Sequence, residues 1–259
     1  MRTRVFSAIL ATFFGLFVVN CSRLATPPEG AVEKEGVLEE SAEQIEWEAR
    51  VDRRLLDKPA FRFVQDVPAL PRVLLIGDSI SIGYTEAVRR FLAGKANVHR
   101  IPENGGDTNR GLQKLADWVG NGEWDVIHFN WGLHDIKYFK DGKLDLSGRQ
   151  VSTIAEYERN LDELVRRLKE TDAKLIWAAT TPVPEGAQGR IKGDAARYDA
   201  VAAEIMKQHG VAINDLYAHV APRLAELQQP ANVHFTEEGS EFLGRQVAEA
   251  ILEILMQPR

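Results

Sequence analysis

The chain has 259 residues, 44% of them hydrophobic and 27% charged, with a formal net charge of −6. That is enough for one globular domain with a sizeable core plus appendages. A negative balance without a basic cluster excludes a nucleic-acid footprint, and a single cysteine, Cys21, excludes an intrachain disulfide.

At the N-terminus, Arg2 and Arg4 precede the apolar stretch 5–19. The stretch is short for a membrane span and the right size for a signal-peptide core. It ends in VVNCS, so residues 1–21 are read as an export signal similar to that of bacterial lipoproteins, in which Cys21 becomes acylated. Asn20 departs from the small residue such signals prefer. Plain cleavage nearby and an uncleaved anchor are the alternatives. The expected location is the periplasm or cell envelope, with membrane attachment only through the signal or a lipidated Cys21.

Residues 22–70 begin with prolines and continue acid-rich, which reads as a tether with a helix around 41–56. From 71 to 259 the pattern becomes regular. RVLLIGD, ANVHRI, DVIHFNW, KLIWAATT and VAIND are short, mostly apolar runs, as expected of strands covered on both faces. Helical periods alternate with them; in the stretch 153–172, Ile154, Tyr157, Leu161, Leu164 and Leu168 recur every three or four residues. Five such alternations predict a three-layer α/β/α fold, a doubly wound, five-stranded parallel sheet of flavodoxin-like type. Ligands bind such sheets beyond the carboxyl ends of the strands. The residues to inspect therefore follow each strand: Gly77-Asp78-Ser79, the loops 102–108, 132–135 and 180–186, and the segment 231–239 before the last helix.

Ser79 falls where the first strand gives way to a helix, and free N–H groups at a helix start favour a developing anion. A serine capping the helix would have the same sequence. As a nucleophile the hydroxyl needs a base, for which histidine is suited near neutral pH. Of six histidines, His99 and His128 fall in strands, His209 ends a helix and His219 lies on a helical surface. His134 and His234 remain at the rim, and His234 is the candidate base. Gly106, in a glycine pair, is the candidate backbone donor to an oxyanion. Asn104, Asn130 and His134 are candidate side-chain donors.

These stretches resemble the SGNH, or GDSL-type, serine esterases and lipases across about residues 72–255. GDSIS is similar to that family's first block, NGGDT to its second and VHFTEEG to its last. The resemblance implies the SGNH hydrolase fold, with Ser79 as nucleophile and its own N–H, together with Gly106, in the oxyanion hole. It implies His234 as base and no cofactor. Two positions depart from it. The third block, normally Gly-x-Asn-Asp, reads Gly132-Leu133-His134-Asp135, so His134 stands where an asparagine donates, and Asn130 is a second candidate. Three residues before His234, where the family carries aspartate, stands Ala231. A backbone carbonyl or a carboxylate from elsewhere would then orient the ring.

No metal site is expected, for there is no two-histidine helix spacing, cysteine pair or acidic ladder. A dinucleotide loop is also absent after the first strand. The expected function is an exported serine ester hydrolase acting on small acyl esters, with deacetylation of a carbohydrate the favoured substrate. A lysophospholipase-type acylhydrolase and a catalytically weak glycan-binding protein on the same fold are the alternatives. Residues 136–152 and 182–194, including Tyr138, Phe139, Arg190 and Lys192, are expected to shape the pocket.

Overall fold

The computed structural model describes residues 41–258. The expected signal, Cys21 and residues 22–40 of the expected tether lie outside these residues. Helix α1 (Ala42–Arg50) comes first. Strand β1 (Arg72–Ile76) runs into α2 (Ser79–Phe91), β2 (Asn97–Arg100) into α3 (Thr108–Val119), and then comes β3 (Val126–Phe129). Three short strands follow: β4 (Tyr138–Lys140), β5 (Lys143–Leu144) and β6 (Arg149–Gln150). The chain continues through α4 (Ile154–Lys169), β7 (Lys174–Ala178), α5 (Asp194–His209) and β8 (Ala212–Asn214). It ends with α6 (Leu216–Val220), α7 (Leu224–Leu227) and α8 (Glu237–Met256). Among the described residues no helix is long and apolar enough to cross a membrane.

All five predicted strands form one parallel sheet in the order β2-β1-β3-β7-β8. Val73, Leu74, Leu75 and Ile76 are buried, as are all four residues of β3, because helices cover both faces. Helices α2 and α8 pack on each other, while α3, α4 and α5 pack in succession, giving the three-layer α/β/α arrangement. The strand order reverses at β1, between β2 and β3, and that is where a doubly wound sheet opens its ligand crevice. The stripe expected on α4 is buried at Tyr157, Leu161, Leu164 and Leu168, with Ile154 half-buried at its start.

Two expectations change. Residues 41–70 are not a tether. They belong to the same compact unit as the sheet. Phe61 is 2% exposed and lies under the Arg100 guanidinium, 4.5 Å from its ring centre. Trp47 Nε1 donates to the Phe61 carbonyl at 2.7 Å, and the Asn97 side chain ties down Val67 and Leu70. A few anchoring apolar groups suffice because this segment lies on a surface built elsewhere and needs no core of its own. The second change is in 136–152, which folds into an antiparallel three-stranded sheet, β5-β4-β6. Its hairpin turns at Asp141-Gly142, both at positive φ, the geometry a two-residue turn requires.

Candidate active site

The first turn after β1 is held by Asp78. Its buried carboxylate caps α2 by accepting from Ile80 N at 2.9 Å. Ser79 is thereby the first helical residue, half-buried at the carboxyl edge of the sheet. Among the described residues its backbone N–H has no acceptor, as expected for a first-turn donor.

His234 reaches this point from 155 residues away. The two helices that carry the pair, α2 and α8, lie against each other. At Gly244 they come so close that an added Cβ would stand 2.4 Å from that of Ala87, so only glycine fits. The loop entering α8 is secured by Gln229 N donating to the His234 carbonyl at 2.9 Å and by Thr236 N donating to Leu227 O at 2.9 Å. His234 Nε2 then lies 2.9 Å from Ser79 Oγ.

The other ring nitrogen has a partner that sequence reasoning missed. His234 Nδ1 lies 2.7 Å from Asn232 Oδ1, and the backbone N–H of His234 donates to the same oxygen at 3.1 Å. That second contact settles which way the amide faces, because a backbone N–H can only donate. Asn232 Nδ2 turns the other way and donates to Gln229 Oε1 at 3.2 Å. His234 must therefore carry its hydrogen on Nδ1, leaving Nε2 to accept the serine proton. The expected orienting group, a backbone carbonyl or a distant carboxylate, is replaced by this amide. The available signal was the habit of asparagine to bond its own backbone two residues on. Ala231, at the position where the resemblance places aspartate, sits at φ 52° in the left-handed region, turning the chain immediately before Asn232.

Partial burial holds the His234 pKa below the ordinary imidazole value. Asp78 opposes this, while Arg190, Lys137 and Lys58 add to it. Lys58 comes from the segment expected to be a tether.

A neutral imidazole aimed at a serine hydroxyl beside a free backbone N–H can carry out acyl transfer. The GDSL-like lipase/acylhydrolase family model matches residues 75–242, about two thirds of the chain. The chain belongs to that family. It is a carboxylic ester hydrolase of SGNH type. No curated protein matches the chain. The lipase/acylhydrolase from Enterococcus faecalis has the same fold at a TM-score of 0.61 and 22% identity, over 73% of this chain and 99% of its own. An acetylxylan esterase from Geobacillus stearothermophilus matches at 0.57 and 19%, over 73% and 95%. A GDSL-like lipase from Bacteroides thetaiotaomicron matches at 0.56 and 17%, over 74% and 92%.

In this acylhydrolase the second and third blocks are bolted together behind the serine. Gly105 N donates to Gly77 O at 3.0 Å, and any Cβ on Gly105 would come 2.9 Å from that oxygen. The Thr108 hydroxyl and backbone N–H both donate to the buried Asp135, at 2.6 and 3.0 Å. Burial raises the Asp135 pKa to about 7. Asp135 is thus a fastener between two loops, with its side chain turned into the protein.

The four oxyanion donors expected from the sequence beside Ser79 fare differently. Asn130 is spent elsewhere. Its Nδ2 donates to Ala178 O at 2.8 Å and to Thr180 Oγ1 at 3.3 Å, joining the ends of β3 and β7. An amide nitrogen has only two hydrogens, so Asn130 has none left to offer. Gly106 N donates to Asn104 Oδ1 at 3.0 Å, so this hydrogen is held within its own loop and Asn104 serves as acceptor. His134 is half-buried, with Nδ1 3.0 Å from Lys137 Nζ and, among the described residues, no hydrogen-bond partner at Nε2. Burial, against an upward pull from Asp78 and with help from Lys137 and Arg190, takes His134 down to about 4, so the ring is neutral near pH ~7.

Of the pocket residues expected from 136–152 and 182–194, Arg190 Nε donates to Leu133 O at 2.8 Å, bracing the third block. Tyr138 N donates to Gly189 O at 2.9 Å, which joins the two segments. Phe139 is exposed, and Lys192 pairs with Glu185 at 3.7 Å on the surface.

Proposed function

We propose that this ester hydrolase is exported and removes small acyl groups, acetyl foremost, from a carbohydrate, with Ser79 as nucleophile and His234 as general base. The observation carrying the assignment is the 2.9 Å contact between Ser79 Oγ and His234 Nε2, with Asn232 fixing the ring's tautomer. Ser79 Oγ attacks the ester carbonyl as its proton passes to His234 Nε2. The resulting oxyanion is received by the Ser79 N–H and the His134 Nε2–H, and by Gly106 N–H once it leaves Asn104. As the carbonyl re-forms, the bond to the alcohol oxygen breaks and His234 returns the proton to that oxygen. Water then enters by the same steps, releasing the acid and restoring Ser79.

The preference for a short acyl group rests on the acetylxylan esterases among proteins of the same fold. The carbohydrate part rests on the acetylxylan esterase among proteins of the same fold, and export rests on residues 1–21 with Cys21 as the lipid site.

The purified protein should be labelled by a fluorophosphonate, and Ser79→Ala should not. Acetate release from acetylated xylooligosaccharides, against para-nitrophenyl esters of rising chain length, tests the substrate. No labelling above the Ser79→Ala control would defeat the serine mechanism, and a preference for long acyl chains would defeat the acetyl assignment.

A further inference from the structure

We propose that Lys137 is a positioning residue for acyl transfer, holding His134 as the Nε2–H tautomer by donating to its Nδ1. This rests on the reading of His134 as an oxyanion donor. Burial and then Arg190 lower the Lys137 pKa to about 8, so near neutral pH it is still mainly an ammonium, with three hydrogens and no acceptor site, and the nitrogen 3.0 Å from its Nζ is then bare. A neutral imidazole has one hydrogen, which is therefore on Nε2, the nitrogen with no partner among the described residues.

Lys137 is suited to this by its surroundings. Among the described residues it takes part in no ion pair, and its half-buried side chain ends on the ring. The turn between the two residues is closed by Lys137 N donating to His134 O at 3.4 Å, which brings residues 134 and 137 to one side. Arg190, from another loop, holds the Leu133 carbonyl, so the block cannot rotate His134 away. Asparagine, at this position in the family's usual pattern, needs no such helper, because its Nδ2 always carries hydrogens. A histidine does, since its free nitrogen can be either donor or acceptor. Substitution by His134 thus creates a requirement that Lys137 meets.

The test is a double-mutant comparison on an acetyl ester. Lys137→Met should lower kcat about tenfold with KM little changed, a part of the roughly 10²–10³ carried by one oxyanion donor. Lys137→Arg, which keeps a donor, should restore most of it. In a His134→Asn background, whatever its own rate, Lys137→Met should cost less than about threefold. Equal losses in both backgrounds would overturn the proposal, because Lys137 would then act through its charge or the fold. An undiminished Lys137→Met enzyme would also overturn it. Nitrogen NMR of the wild-type imidazole provides a readout independent of rate. His134 should show a bare, hydrogen-bonded Nδ1 that shifts in Lys137→Met, and a proton on Nδ1 would end the proposal. If His134→Ala retained full activity, the oxyanion role of His134 itself would fail, an outcome distinct from these.

Discussion

His234 and His134 are both neutral imidazoles at the carboxyl rim of the sheet, but their neighbours differ in the respect that decides chemistry. Asn232 presents an acceptor to Nδ1 of His234, whereas Lys137 presents a donor to Nδ1 of His134. The first ring is left with a bare Nε2, able to take a proton, and the second with an Nε2–H, able to give a hydrogen bond. Identical side chains thus hold opposite tautomers within one site. The lesson concerns assignment. In each case it is the group beyond the histidine, one that can only donate or is pinned as an acceptor, that determines which role the ring can play.

The sharpest way to break this comparison is to remove each ring. His234→Ala should lower kcat by at least about 10⁴-fold, and combining it with Ser79→Ala should cost little more, since nucleophile and base act as a unit. A loss under tenfold would show that the proton goes elsewhere. His134→Ala should cost less, about 10²–10³ in kcat with KM nearly unchanged, because it removes a bond made mainly in the transition state. If the two substitutions cost the same, the division into acceptor and donor is wrong. Circular dichroism of each variant should match the parent, as both rings stand at the rim.

How much of this was legible beforehand follows the range of the interactions. The parallel sheet, its helices and the Ser79–His234 pair could be read because strand periodicity and strand-end motifs are local, and right-handed crossovers do the rest. The packing of residues 41–70 was not legible. Phe61 and Trp47 find their partners on Arg100 and α2, and acid-rich composition masks a few anchoring contacts. The hairpin at Asp141-Gly142 was missed although its dipeptide is a strong turn signal, because the strands around it have only two or three residues. Asn130 illustrates the opposite failure. Its place beside the third block suggested a donor, and only the position of Ala178 O, 48 residues on, shows that its hydrogens are taken.

The smallest expected effect concerns the amide itself. In serine proteases, exchanging the triad aspartate for asparagine costs about 10⁴ in kcat because the imidazole takes the wrong tautomer. Here Asn232 avoids that cost, since the His234 backbone N–H keeps Oδ1 facing the ring. What the amide lacks is charge to stabilise the imidazolium that forms during reaction. Asn232→Asp should therefore raise plateau kcat by only about tenfold. The pH profile gives the sign independently. His234 must be unprotonated to act, and burial with Arg190, Lys137 and Lys58 holds its pKa below the usual value. In the parent, kcat/KM should therefore persist below pH ~6.5 and fall away as pH drops through the lowered pKa. A carboxylate on Nδ1 favours the charged ring, so in Asn232→Asp that limb should move to higher pH. A limb that stays in place while the rate changes would mean that Asn232 does not control the His234 proton, and the opposed-tautomer comparison would lose its first half.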